Sequence, residues 1–122
     1  MTSPAASPLK RGARIPDWNI KDHEGKNHAL WDYRQKSHVI LLHDPESPEE
    51  TIQRWVAAVE ADRKQWEWLN VKVIAVSGAP KDLPPGAYAI DRYGIFLNVF
   101  PVSRWSFDDL EREFLYYEAF HC

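Results

Sequence analysis

Two aliphatic runs, His38-Val39-Ile40-Leu41-Leu42-His43-Asp44 and Val71-Lys72-Val73-Ile74-Ala75-Val76-Ser77, bracket a long stretch in which apolar residues recur every three or four positions. Short runs dominated by Val, Ile and Leu mark strands buried on both faces. Between them Ile52, Trp55, Val56, Val59, Trp66 and Leu69 share one face of a 3.6-residue period, and Glu60, Asp62, Lys64 and Glu67 the other. Trp68 lies off the stripe and is harder to bury. The pattern predicts two neighbouring parallel strands bridged by one helix that ends at Asn70. The helix start is written as a capping box: Ser47 as N-cap, Pro48 at the first helical position, Glu50 three residues after Ser47. Glu49 and Glu50 also suit the positive end of the helix dipole. In sheets of this kind chemistry gathers where the first strand turns into its helix. Here that turn is Asp44-Pro45-Glu46-Ser47-Pro48-Glu49-Glu50.

Weaker patterns flank this unit. Ile15, Trp18 and Ile20 fall near alternate positions and predict an edge strand ending at Asp22. His23-Glu24-Gly25-Lys26 is a turn with Gly25 free to take positive φ, and Asn27–Trp31 is the return strand. After Ser77, three prolines (Pro80, Pro84, Pro85) forbid a regular helix between Gly78 and Gly86. Ala87–Asp91 and Ile95–Phe100 flank Arg92-Tyr93-Gly94 as a second hairpin. A last helix is capped by Ser106 with Asp109 three residues on, and Trp105 packs on Leu110 as a staple. Phe107, Leu110, Phe114, Tyr117 and His121 form its stripe. The expected fold is α/β: a mixed sheet with an N-terminal β-hairpin, then βαβ and ββα, with helices on both faces. Residues 1–13, small, polar and proline-containing, read as a disordered arm, and 14–122 as a single domain.

Composition narrows the function. A chain of 122 residues buries roughly two-thirds of its unfolded surface. The net charge of −3 argues against sequence-independent nucleic-acid binding. No apolar run reaches the roughly 20 residues a membrane span needs, so no membrane association is expected. The opening MTSPAASPLKRGAR lacks the apolar core of a secretory signal, and the expected location is cytoplasmic. The single cysteine, Cys122, is the last residue, which leaves no intramolecular disulfide and no multi-cysteine metal site. No cofactor is expected. Trp18, Trp31, Trp68 and Trp105 are the tryptophans whose exposure would indicate a protein partner or self-association.

Three stretches carry a family resemblance. Pro16-Asp17-Trp18, followed by Asp22, Gly25, Leu30, Asp32-Tyr33-Arg34 and Lys36, is similar to the redoxin opening of a P-D-F strand, a D-x-x-G turn and an L-x-D-Y-R-G-K segment. Val71–Ser77 is similar to the second core strand, and Ala87–Gly94, AYAIDRYG, to an F-L-I-D-R-x-G hairpin. Over about residues 12 to 122 the chain resembles the thioredoxin fold in its redoxin branch, that of peroxiredoxins and thiol-disulfide oxidoreductases of the cytochrome-maturation type.

The resemblance implies a reactive cysteine just before or at the start of the first long helix. Strand-to-strand alignment lays the C-P-x-C motif over Ser47-Pro48-Glu49-Glu50, with Ser47 in the nucleophilic and Glu50 in the resolving position. A peroxiredoxin register moves the position to about Ile52. Neither residue is a thiol, and disulfide exchange needs a thiolate. The family also places a cis-proline, or an arginine in peroxiredoxins, six residues before the hairpin aspartate. Here that residue is Pro85, so the Pro84–Pro85 bond is expected cis and the peroxidase arginine is missing.

Ser47, Pro48, Glu50 and Pro85 therefore mark a vestigial redox site, and the expected function is a redox-inactive binding or scaffold domain. The alternative is a thiol oxidoreductase or antioxidant protein using Cys122 as its reactive thiol. A third reading, a small-molecule site at the helix N-terminus, is opposed by the two glutamates there. His43 beside Asp44 reads either as an acid–base pair or as a satisfied strand-end histidine. His38, five residues from His43, points to the other face. His121-Cys122 is weak evidence for a metal site because no spaced partner motif accompanies it.

Overall fold

The structure, a computed structural model, describes residues 10–46, 49–78, 83–100 and 106–121, the last five by backbone alone. Along them the chain forms β1 (Asn19–Asp22), β2 (Asn27–Ala29), a 3₁₀ turn (Leu30–Tyr33) and β3 (His38–His43). Next come α1 (Glu49–Ala61), α2 (Arg63–Trp68), β4 (Val71–Gly78), β5 (Gly86–Ile90), β6 (Phe96–Phe100) and α3 (Phe107–His121). One six-stranded sheet is ordered β2-β1-β4-β3-β5-β6. β3 lies inside it with all six residues buried. It pairs in parallel with β4, from His38↔Val71 to Leu42↔Ala75, and antiparallel with β5, from Val39↔Ile90 to His43↔Gly86. The mixed α/β sheet and its parallel βαβ core are thus those the hydrophobic pattern predicts.

Helices stand on both faces of the sheet, but unequally. Ile40, Leu42, Ala87 and Ala89 form one apolar cluster with Trp66 and Leu69 of the first helical segment and with Leu110 and Phe114 of α3. Phe107 meets the Trp66 ring edge-on, at 6.0 Å between centroids. The long helices therefore share one face. The opposite face carries Val39, Leu41, Ile74, Val76, Tyr88 and Ile90, and Ile15, Leu30 and Leu83 cover it, with Tyr33 and Trp18 at the margin. What stands there is the 3₁₀ turn and extended chain. Both amphipathic stripes bury their apolar residues against the same side of β3 and β5, which leaves none for the other side.

Three boundaries also shift. The helix expected to run unbroken to Asn70 is interrupted at Asp62 (φ −112°, ψ 23°). The apolar stripe has a six-residue gap between Val59 and Trp66 at that place, and aspartate is a poor helix-interior residue. The break sets Trp66 and Leu69 into the core. Asn70 (φ 59°) does end the segment, in the left-handed region that asparagine tolerates. The first strand begins at Asn19 rather than Ile15. Ile15 is buried, and its amide bonds the Gly94 carbonyl at 2.8 Å, outside the β1–β2 ladder. Trp31 belongs to the 3₁₀ turn, not the return strand.

At α3 the capping box is reciprocal: the Asp109 amide donates to Ser106 Oγ at 3.2 Å and the Ser106 amide to Asp109 Oδ2 at 3.1 Å. Its staple partner Trp105, and the side chains of Tyr117 and His121, lie outside the described residues. Among the described residues no helix is long and apolar enough to cross a membrane.

Candidate functional site

The candidate site is the end of the sheet where β3 runs into α1 and the 83–85 segment runs into β5. The pairing of His43 with Gly86 brings these two connections together. His43 is 8% exposed. Its Nε2–H donates to the Leu83 carbonyl at 3.1 Å, and among the described residues its Nδ1 has no partner. Burial holds its pKa below the usual 6.5, only partly offset by the Leu83 bond and the nearby Asp44 charge. The ring is therefore neutral, with the proton on Nε2 and a lone pair on Nδ1. Of the two readings open for it, the geometry supports a strand-end histidine bonded to backbone: its donor faces Leu83, and Asp44 Oδ1 accepts instead from the Glu46 amide at 3.2 Å.

The first turn of α1, at the same end of the sheet, is acidic. Glu49 and Glu50 are exposed in the first turn of α1. His23, from the β1–β2 turn, donates Nε2–H to the Val76 carbonyl at 3.0 Å and brings Nδ1 to 3.8 Å from Glu49. On the other side Pro84 is half-buried and Pro85 exposed. The Tyr88 hydroxyl donates to the Pro84 carbonyl, and burial pushes its pKa up to about 12. No described peptide bond is cis, so the expected cis Pro84–Pro85 bond is trans. The trans form is the lower-energy state of an X–Pro bond by about 0.5–1 kcal/mol, and trans Pro84 presents its carbonyl to Tyr88.

Among the sequence-derived site residues, Glu50 and Pro85 are brought to this end of the sheet. Ile52, the peroxiredoxin-register position, is buried in α1. Ser47, Pro48 and Cys122 lie outside the described residues, as does the Ser47 cap. Among the described residues no three His, Cys, Asp or Glu side chains group as a metal site. What the described groups offer is a neutral imidazole, carboxylates and backbone carbonyls, able to accept hydrogen bonds and attract cations.

Sequence reasoning missed a second polar cluster. His28 is buried between Asp22 and Tyr33, bonded to both. A signal was present: His28 shares strand parity with Leu30, an inward apolar residue, so a polar group there demands buried partners.

No family model matches the chain, and no curated protein matches it. Solved structures do. The reduced 2-Cys peroxiredoxin of Plasmodium vivax superposes with a TM-score of 0.64 at 13% identity, over 93% of this chain and 86% of that one. The OxyS anhydrotetracycline hydroxylase from Streptomyces rimosus gives 0.52 at 19% identity, over 93% of this chain and 22% of that one. The chain thus spans about a fifth of the hydroxylase. At such identities the likeness is one of fold: the chain is a thioredoxin-like α/β domain with a peroxiredoxin-like architecture.

Proposed function

We propose that this domain keeps a redoxin scaffold without its thiol chemistry and works in the cytoplasm as a binding or scaffold protein. The observation that carries the reading is the content of the β3–α1 connection. From Asp44 to Ile52 it holds carboxylates, prolines, Ser47, Thr51 and Ile52, and no cysteine. Ile52 is 2% exposed, so the peroxiredoxin-register position presents a buried aliphatic group rather than a nucleophile. Asp44, Glu46, Glu49 and Glu50 would moreover raise, not lower, the pKa of any thiol brought there. Large exposed aromatics, Trp68 at 73% and Tyr116 at 67%, favour a protein partner or self-association.

The test is insulin reduction and hydrogen-peroxide consumption by the intact chain and by Cys122→Ser. Both proteins are expected to show no turnover above buffer. Turnover lost in Cys122→Ser would replace this reading with the thiol enzyme using Cys122. Turnover retained would refute both.

A further inference from the structure

At the opposite end of the sheet from the β3–α1 turn lies a groove of about 450 Å³ lined by Arg14, Trp31, Asp32, Arg34, Gln35, Lys36 and Tyr93. That volume is in the range of roughly 300–1,000 Å³ that small-molecule sites occupy. Two features distinguish it from ordinary surface. The first is aromatic: Trp31 is 58% and Tyr93 48% exposed. The Arg34 guanidinium lies 4.4 Å from the Trp31 ring centre and that of Arg92 5.4 Å from the Tyr93 ring. The second is charge: with Arg34 paired to Asp17, Arg14 and Lys36 stand against one lining carboxylate, Asp32, in a chain whose net charge is −3.

The groove is held in shape from beneath. Arg34 is fixed by Asp17 at 2.9 Å and by the Ile15 carbonyl at 3.3 Å, so one face of the indole is backed by a positioned cation. Gln35 sits at φ 63°, in the left-handed region that non-glycine residues seldom adopt, and its amide bonds the Arg92 carbonyl. That bond ties the Trp31–Lys36 turn to the Arg92–Tyr93 turn. Strain of this kind persists where surrounding structure enforces it. Arg14 and Lys36 are exposed at the groove.

We propose that this groove binds a free nucleotide, an aromatic base carrying a phosphate or diphosphate. The base stacks on the open faces of Trp31 and Tyr93, and the phosphates meet Arg14 and Lys36. A bare inorganic anion would leave the two aromatic faces unused, and an uncharged aromatic ring would leave the cations unused. Stacking of a base on an aromatic side chain is worth about 1–3 kcal/mol by alanine substitution, or about 5- to 150-fold in affinity. This site is independent of the thiol question, since none of its residues belongs to the β3–α1 turn.

Isothermal titration calorimetry of the full chain with ADP, adenosine, pyrophosphate and hexaglutamate tests it. ADP is expected to bind at least tenfold more tightly than adenosine, pyrophosphate or the acidic peptide. Trp31→Ala is expected to weaken ADP about tenfold, Trp31→Phe less, and Arg14→Ala with Lys36→Ala at least tenfold, all with unchanged melting temperature. Absence of ADP binding at millimolar concentration overturns the proposal. So does equal binding of pyrophosphate or hexaglutamate, or ADP affinity unmoved by the substitutions. If Trp31→Ala shifts the melting temperature, the Arg14 and Lys36 variant, confined to exposed side chains, decides.

Discussion

His28 Nε2 stands 2.6 Å from Asp22 Oδ2, and on its other side His28 Nδ1 is 2.7 Å from the Tyr33 hydroxyl. Partner chemistry sets the roles: Nε2–H donates to the carboxylate and the Tyr33 O–H donates to Nδ1. Asp22 Oδ1 also accepts from the amides of Glu24 and Lys26, at 2.8 and 2.9 Å. One carboxylate thereby fastens the β1–β2 turn, the return strand and the 3₁₀ turn that covers the second face of the sheet.

Removal of that carboxylate is therefore expected to loosen the whole N-terminal cover. Burial alone would raise the Asp22 pKa, but the His28 bond and the two amides outweigh it, and the carboxyl lies below its ordinary 3.8. A depressed carboxyl contributes its full stability above the unfolded value and loses it as pH falls through the lower folded value. Asp22→Asn should cost about 1.5–3 kcal/mol at pH 7, and the gap from the wild type should close as pH drops below about 3.8. Urea titrations of both proteins at pH 7 and at strongly acid pH measure this.

His43, at the end of β3, has its own pH dependence. Its folded pKa is depressed, so between that value and 6.5 the unfolded chain binds the extra proton. Stability from this group is complete above 6.5 and declines as pH falls below it. His43→Gln keeps an amide donor for Leu83 and cannot titrate. Its melting temperature is expected to stay flatter than the wild type's between pH 8 and pH 5, and equal slopes would refute the assignment.

The core architecture was legible because its signals are periodic. Unbroken Val/Ile/Leu runs specify β3 and β4, and the stripe from Ile52 to Leu69 specifies the crossover between them. What was not legible are relationships that periodicity does not encode. Asp62 reads equally well as a solvent-facing helical residue and as a break, and only the burial of Trp66 and Leu69 decides. Nothing in the stripe of α3 says which face of the sheet receives it. The Trp31 groove is assembled from Arg14 and two turns about sixty residues apart, each an unremarkable stretch on its own. The expected redox-site residues divide in the same way: Glu50 and Pro85 reach one end of the sheet because strand pairing puts them there.

Placing both helices on one face creates a carboxyl pair that opposite-face packing would exclude. Glu111 of α3 has its pKa raised to about 7, by burial first, then by a hydrogen bond and charge from Asp62 at the α1–α2 break and by the Asp108 charge. The folded chain thus binds more protons than the unfolded one between about 4.5 and about 7. Stability from this pair is greatest below that interval and falls as pH rises through it. Glu111→Gln should be more stable than the wild type above pH 7, with the advantage shrinking toward pH 4.5. A variant less stable at pH 8 would show that α3 is not packed against Asp62.

Gly94 supports the Trp31 groove from below, and a matched pair of glycine substitutions separates its two contributions. Gly94 sits at φ 79°, and a Cβ there would lie 2.8 Å from Arg34 Nε. Gly25 sits at φ 83° with nothing within 4 Å of its Cβ position. Alanine at Gly25 pays only the left-handed strain, about 1–2 kcal/mol. Alanine at Gly94 meets the same strain and also pushes Arg34, which is held by Asp17 and the Ile15 carbonyl and lies on the Trp31 ring. Gly94→Ala should therefore be the more destabilising of the two in urea titration, and it alone should shift the Trp31 fluorescence in a protein retaining that tryptophan as its reporter. Equal losses of stability with no spectral change would mean that Arg34 is free to move and that the groove floor is not rigid.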